Sequence, residues 1–156
     1  ARNETFFFPW KNPPKTGEEY LHDHFISAFK LVQNRVHASA VDKGWWDDYR
    51  AIRDILSEVN ADQKLYKAFK LAWIMSKLNL VNSEQGEATE GLRTGSPPDD
   101  KIPQFKSEVA EIADMIIRLM DLAEHEDWPL AEAIIAKINY NKTRAYKHGK
   151  LAWTAN

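Results

Sequence analysis

Two pairs of carboxylates stand at helical spacing inside segments otherwise apolar enough to be buried: Glu84 with Glu87, and Glu111 with Asp114. Side chains three residues apart lie about 60° apart around a helix axis, on one face and one turn along. Each pair can therefore act as a two-pronged oxygen claw. A fold that buries the neighbouring apolar residues must draw the four acids toward a bundle interior. There they would repel one another and lose hydration, which raises their pKa values unless positive charge is supplied. A hard divalent cation with oxygen preference, chiefly Mg²⁺, is the simplest source of that charge.

The helical reading extends along the chain. Pro9, Pro13 and Pro14 prevent a continuous helix at the start, so residues 1–16 read as an extended arm carrying Phe6, Phe7, Phe8 and Trp10. From Thr16 or Gly17 the residues Leu21, Phe25, Ala28, Phe29, Val32 and Val36 recur at helical intervals up to a stop near Gly44. A cap at Asp47 or Asp48 opens a short helix through Tyr49, Ile52, Ile55 and Leu56. A long third helix starts at Asn60 or Asp62 and runs past Val81 into the first acid pair. Gly91 to Phe105 holds three prolines and two glycines and reads as the one internal loop. Ser107 then caps a helix whose apolar residues Val109, Ile112, Ala113, Ile116, Ile117, Leu119 and Met120 cover about half the circumference, with Glu111, Asp114, Arg118 and Asp121 on the opposite stripe. Pro129 suits the first turn of a last helix ending near Gly149. No strand-period stretch is visible. The expected fold is all-α, a helical bundle over residues 17–150 with a short tail at 151–156.

Composition narrows the function. Lys and Arg number 21 against 23 Asp and Glu, a net charge of −2, which argues against general nucleic-acid binding through a broad basic surface. Cysteine is absent, no apolar run is long enough to span a membrane, and the FFFPW start lacks the basic flank of a signal peptide. A reducing, cytoplasmic setting is the default expectation.

The segments Ser83 to Glu87 (SEQGE), Glu111 to Asp114 (EIAD) and Lys137 to Arg144 (KINYNKTR) together resemble the MazG-like nucleoside triphosphate pyrophosphohydrolases. The likeness covers most of Val36 to Lys150. It implies an all-α fold of the NTP pyrophosphatase type, completed by assembly into a homodimer or homotetramer. It also implies hydrolysis of an NTP or dNTP to the monophosphate and pyrophosphate with Mg²⁺, or Mn²⁺ in its place. Carried over by position, Glu84, Glu87, Glu111 and Asp114 match the metal-binding and catalytic acids. Ser83 stands where the pattern usually has its first glutamate, so another acid must polarise the attacking water if that group normally does.

The same chemistry can be argued from the residues. Splitting a phosphoanhydride needs neutralised phosphate oxygens, an in-line water and a stabilised leaving group. Lys137, Asn141 and Arg144, at i, i+4 and i+7 of the last helix, offer a point charge, a neutral donor and a planar fork for phosphate. Arg118, one turn past Asp114, is a further phosphate ligand or a partner for an acid. Trp45 and Trp46 are the suspects for stacking on a base, His37 a weaker one, while Trp73 reads as core and His125 as a surface loop histidine. Gly86 in mid-helix costs about 1 kcal/mol relative to alanine, which implies close approach of a neighbouring helix. Two other readings stay open: a catalytically silent helical binding or assembly protein of the same fold, and a phosphoribosyl-ATP pyrophosphohydrolase. A carboxylate-bridged di-iron bundle has less support, because Glu19 to His22 supplies a single Glu-x-x-His.

Overall fold

The computed structural model describes residues 21–145. The aromatic arm, the Thr16 cap, Glu19 and the C-terminal tail lie outside them. The described chain is helical: a π-helical run Leu21–Phe25, then α1 (Ile26–Asp42), α2 (Asp47–Glu58), α3 (Gln63–Arg93), α4 (Ser107–His125) and α5 (Leu130–Lys142). The only β-type pairing among the described residues is the isolated bridge between Pro98 and Lys106. The described residues fall into two compact units: 30–130, and 21–29 together with 131–145.

Four helices stop by one device. A residue in the left-handed region lets the next amide reach back to the carbonyl five residues earlier, which satisfies carbonyls left over at a helix end. Gly44 (φ 78°) ends α1 with Trp45 N–H on Ala40 O at 3.1 Å. Asn60 (φ 49°) ends α2, Gly95 (φ 90°) ends α3 and Asp127 (φ 53°) ends α4, with the matching bonds from Ala61 to Leu56, Ser96 to Gly91 and Trp128 to Ala123. At the other end, Asp62 caps α3 by accepting from Leu65 N–H at 2.7 Å. Ser107 is not the cap of α4: Lys106 occupies that position and the Ser107 hydroxyl is buried without a partner.

Helices α3 and α4 form an antiparallel hairpin, the main packing of residues 30–130. Lys70 near its open end pairs with Glu126 at 2.8 Å, and Gly91 meets the first turn of α4 at its closed end. Helix α3 runs on to Arg93, so the loop spans 94–106 rather than starting at Gly91. It is held by Asp99, whose buried carboxylate accepts from the amides of Lys101 and Ile102 at 2.9 and 2.7 Å; these bonds hold its carboxyl below the usual range. Gly91 is the glycine that permits close approach, since a Cβ there would sit 3.2 Å from Glu108 N. Gly86, expected to play that part, has no neighbour within 4 Å of a built Cβ.

The core is small and aromatic. Trp46, Tyr49 and Leu122 are buried together, with Phe69, Trp73 and Ile74 packed against them. His125 joins this group, stacked on Trp46 with centroids 3.8 Å apart and held below its usual pKa by burial; it is a core residue, not a loop histidine. The apolar face of α4, expected to be buried, is not. Asp121 is buried and Glu111 half-buried, while Val109, Ile112, Ile116 and Leu119 are between 39 % and 49 % exposed.

Candidate functional site

Three of the four acids converge. Glu84, in the second half of α3, is buried; Glu111 is half-buried and Asp114 exposed on α4. One carboxylate oxygen from each lies within 4.8 Å of the others. The helices can come this close because Ala88 and Gly91 on α3 and Ala110 on α4 are small and buried beside the acids. Glu87 stays outside the trio on an exposed position, yet its charge contributes to the field there. Ser83 is exposed one residue before Glu84.

The electrostatics are those of acids crowded without enough positive charge. Glu111 is raised from 4.5 to about 7, first by burial, then by a hydrogen bond to Glu84 that favours its protonated form, then by the charges of Glu87, Glu84 and Asp114. A single cation partly answers this: Arg118 Nη2 stands 2.5 Å from Glu84 Oε1. The donor set, three carboxylates and open solvent on one side, suits a hard cation that keeps some water.

Beside the trio lies a cleft of about 610 Å³ built from α1, Trp45, α3 and α4. Asp114 and Arg118 form its border with the acids, and Arg35, Lys43 and Lys77 bring further positive charge. Val36, Ala40, Leu80 and Ile117 supply apolar wall. Lys77 Nζ donates to Trp45 O at 3.1 Å and lies 4.4 Å from the centre of a Trp46 ring; burial lowers its pKa, partly offset by Asp121. The two tryptophans that follow Gly44 have different surroundings. Trp45 is 61 % exposed at the cleft, whereas Trp46 is 1 % exposed in the core. Trp46 is thus a structural anchor, not a surface open to a base. Its indole N–H, together with His37 Nδ1 at 2.7 Å, engages Asp121, a buried acid that reaches the cleft wall. Trp73 lies against the core.

The last-helix set falls in the other unit. Lys137 and Asn141 are exposed on α5, and Arg144 lies beyond its end at Lys142, in a turn closed by Arg144 N–H on Asn141 O. The helical i+7 register therefore does not extend to Arg144. Lys137 Nζ and the Arg144 guanidinium instead lie 5.4 and 5.9 Å from the Tyr140 ring. The trio and the cleft are built from residues 30–130 alone. Arg35, Lys43 and Lys77 were not singled out by spacing; only the placement of α1 beside α3 and α4 gives them a common cleft.

Among the described residues no helix is long and apolar enough to cross a membrane. No family model, curated protein or solved structure matches this chain, so the likeness to MazG-like hydrolases rests on the motif residues alone.

Proposed function

We propose that the chain is a Mg²⁺-dependent, cytoplasmic nucleotide pyrophosphohydrolase that converts an NTP or dNTP to its monophosphate and pyrophosphate. The observation that carries this reading is the junction of Glu84, Glu111 and Asp114 with a cleft bearing Arg35, Lys43, Lys77 and Arg118. Glu84, Glu111 and Asp114 would hold the cation, with Glu87 one turn away as a fourth acid; Mn²⁺ can substitute because it accepts the same oxygen donors. The bound cation would neutralise phosphate oxygens and lower the pKa of water. A carboxylate oxygen of the trio left free of metal accepts the proton of the attacking water. The cleft cations receive the phosphates, and the exposed ring of Trp45 with the apolar wall receives the base.

The outward apolar residues of α4 support assembly with further copies of the chain, as a homodimer or homotetramer. A second reading has one contact in its favour: Arg118 on Glu84 neutralises part of the acid cluster without any metal, as a silent helical assembly protein would require. Incubation with Mg²⁺ and a panel of natural and modified nucleotides tests the choice. Monophosphate plus pyrophosphate is expected, and both Glu111→Gln and Asp114→Asn should abolish the reaction while retaining helicity. Absence of turnover across the panel favours the silent reading, and release of orthophosphate points to another reaction.

A further inference from the structure

Arg118 belongs to two sites at once. Its Nη2 holds Glu84 Oε1 at 2.5 Å, while the side chain also forms part of the cleft wall beside Lys77 and Asp114. The contact is lopsided: Glu84 is almost fully buried, whereas a third of the Arg118 side chain is exposed toward the cleft, and its buried Nε has no hydrogen-bond partner. A guanidinium has five donors in a fixed fork, and here the fork is incompletely used. A divalent cation on Glu84, Glu111 and Asp114 would compete for the same carboxylate and place two positive charges beside the guanidinium.

We propose that Arg118 is a two-position cation: Glu84 holds it until a divalent ion takes the carboxylates, after which it turns its fork to phosphate oxygens in the adjoining cleft. Metal loading and anion binding are thereby coupled in a fixed order. This rests on the nucleotide reading above and adds to it a residue whose partner changes with the metal. Before loading, Arg118 limits repulsion among the acids; after loading, it supplies the bidentate phosphate contact that a lysine cannot.

Metal binding alone gives the first test. Titration of the full chain with Mn²⁺, followed by electron paramagnetic resonance, should show Arg118→Gln binding Mn²⁺ several-fold more tightly than the native protein, because a competing cation is gone. Equal or weaker binding overturns the proposal and leaves Arg118 as a mere support for Glu84. Calorimetry with inorganic pyrophosphate gives the second. With Mg²⁺ present the variant should lose about tenfold in affinity, the size of one charge-assisted contact; with EDTA in place of Mg²⁺ the two proteins should bind alike. An equal loss in both conditions also overturns it. Should Arg118→Gln misfold, the native protein still decides: addition of Mg²⁺ alone must shift the Arg118 Nε–H resonance, and an unmoved resonance rejects the exchange. Failure of the native chain to bind Mn²⁺ at all would instead reject the carboxylate metal site itself.

Discussion

The indole of Trp46 donates to both carboxylate oxygens of Asp121, at 2.9 and 3.1 Å. This joins the centre of the aromatic core to the acid stripe of α4. A buried carboxylate accepting from an indole and from His37 orients three elements: α1 through His37, the turn after it through Trp46, and α4. Asp121→Ala leaves the Trp46 N–H without an acceptor in a dry site, and should cost about 1.5–3 kcal/mol in urea denaturation, the range for hydrogen bonds to a charged group. Unchanged stability would show that the network is incidental to the fold.

The proton on Glu111 sets a pH dependence with a definite sign. Its pKa is raised from 4.5 to about 7 in the folded chain, so between these values the folded state binds the proton that the unfolded state has lost. Metal-free stability from this group is therefore fully present below pH 4.5 and is lost as pH rises through about 7. Glu111→Gln should remove that slope. Mg²⁺ binding should run the other way, tightening up to about pH 7 as the proton is displaced. Calorimetry at pH 6 in two buffers of different ionisation heat would read the released proton directly.

Two glycines of α3 should respond oppositely to the same change. Gly86 sits in open surroundings within the helix, so Gly86→Ala should stabilise by about 0.5–1 kcal/mol through the lower entropy of the unfolded chain. At Gly91 the added methyl meets Ser107 and Glu108 N. Gly91→Ala should destabilise by about 1–3 kcal/mol as the hairpin is forced apart. Because Glu84 and Glu111 meet across the same helix pair, the second variant should also weaken Mn²⁺ binding, and equal thermal shifts for the two variants would contradict the packing described.

Helix ends give a second contrast. Asp127 holds a left-handed conformation that glycine adopts without a Cβ penalty. Asp127→Gly should therefore gain about 0.5–1 kcal/mol, while Gly44→Ala at φ 78° should lose about 1–2 kcal/mol. A Cβ at Gly44 would also press on Asp47 Oδ2 at 2.9 Å. Thermal denaturation of the two variants reads both signs.

These ends show what was legible in the chain. Gly44 marks a stop in the sequence because glycine accepts positive φ; Asn60, expected to open the next helix, instead ends α2, and Asp127 carries the same duty with a weaker signal. The acid pairs were legible for a similar reason, since helical spacing alone puts Glu111 and Asp114 on one face. What periodicity cannot give is which face turns inward. Spacing draws the acids and their apolar neighbours inward together, but small residues at Ala88, Gly91 and Ala110 let α3 pack on the acid side, and the apolar strip of α4 is left exposed. The cleft cations were illegible because Arg35, Lys43 and Lys77 share no spacing; the Gly44 turn and the α1 packing bring them together only in three dimensions.

The outward face of α4 leads to the last expectation. Val109, Ile112, Ile116 and Leu119 recur at three and four residues along one side of the helix and remain solvent-accessible in the isolated chain. A contiguous apolar strip of this kind marks a contact surface. The fully buried core beneath it is slight, with Trp46 and Leu122 the only large side chains completely enclosed among the described residues. A second copy placing the same strip against this one would bury both, as two-fold pairing requires of a self-complementary patch. The native chain should sediment as a dimer or larger species at micromolar concentration. Ile116→Lys should shift it to monomer and lower its thermal stability, since the partner then no longer covers α4. A chain that sediments as a stable monomer, with Ile116→Lys unchanged in melting temperature, would show that this strip needs no cover.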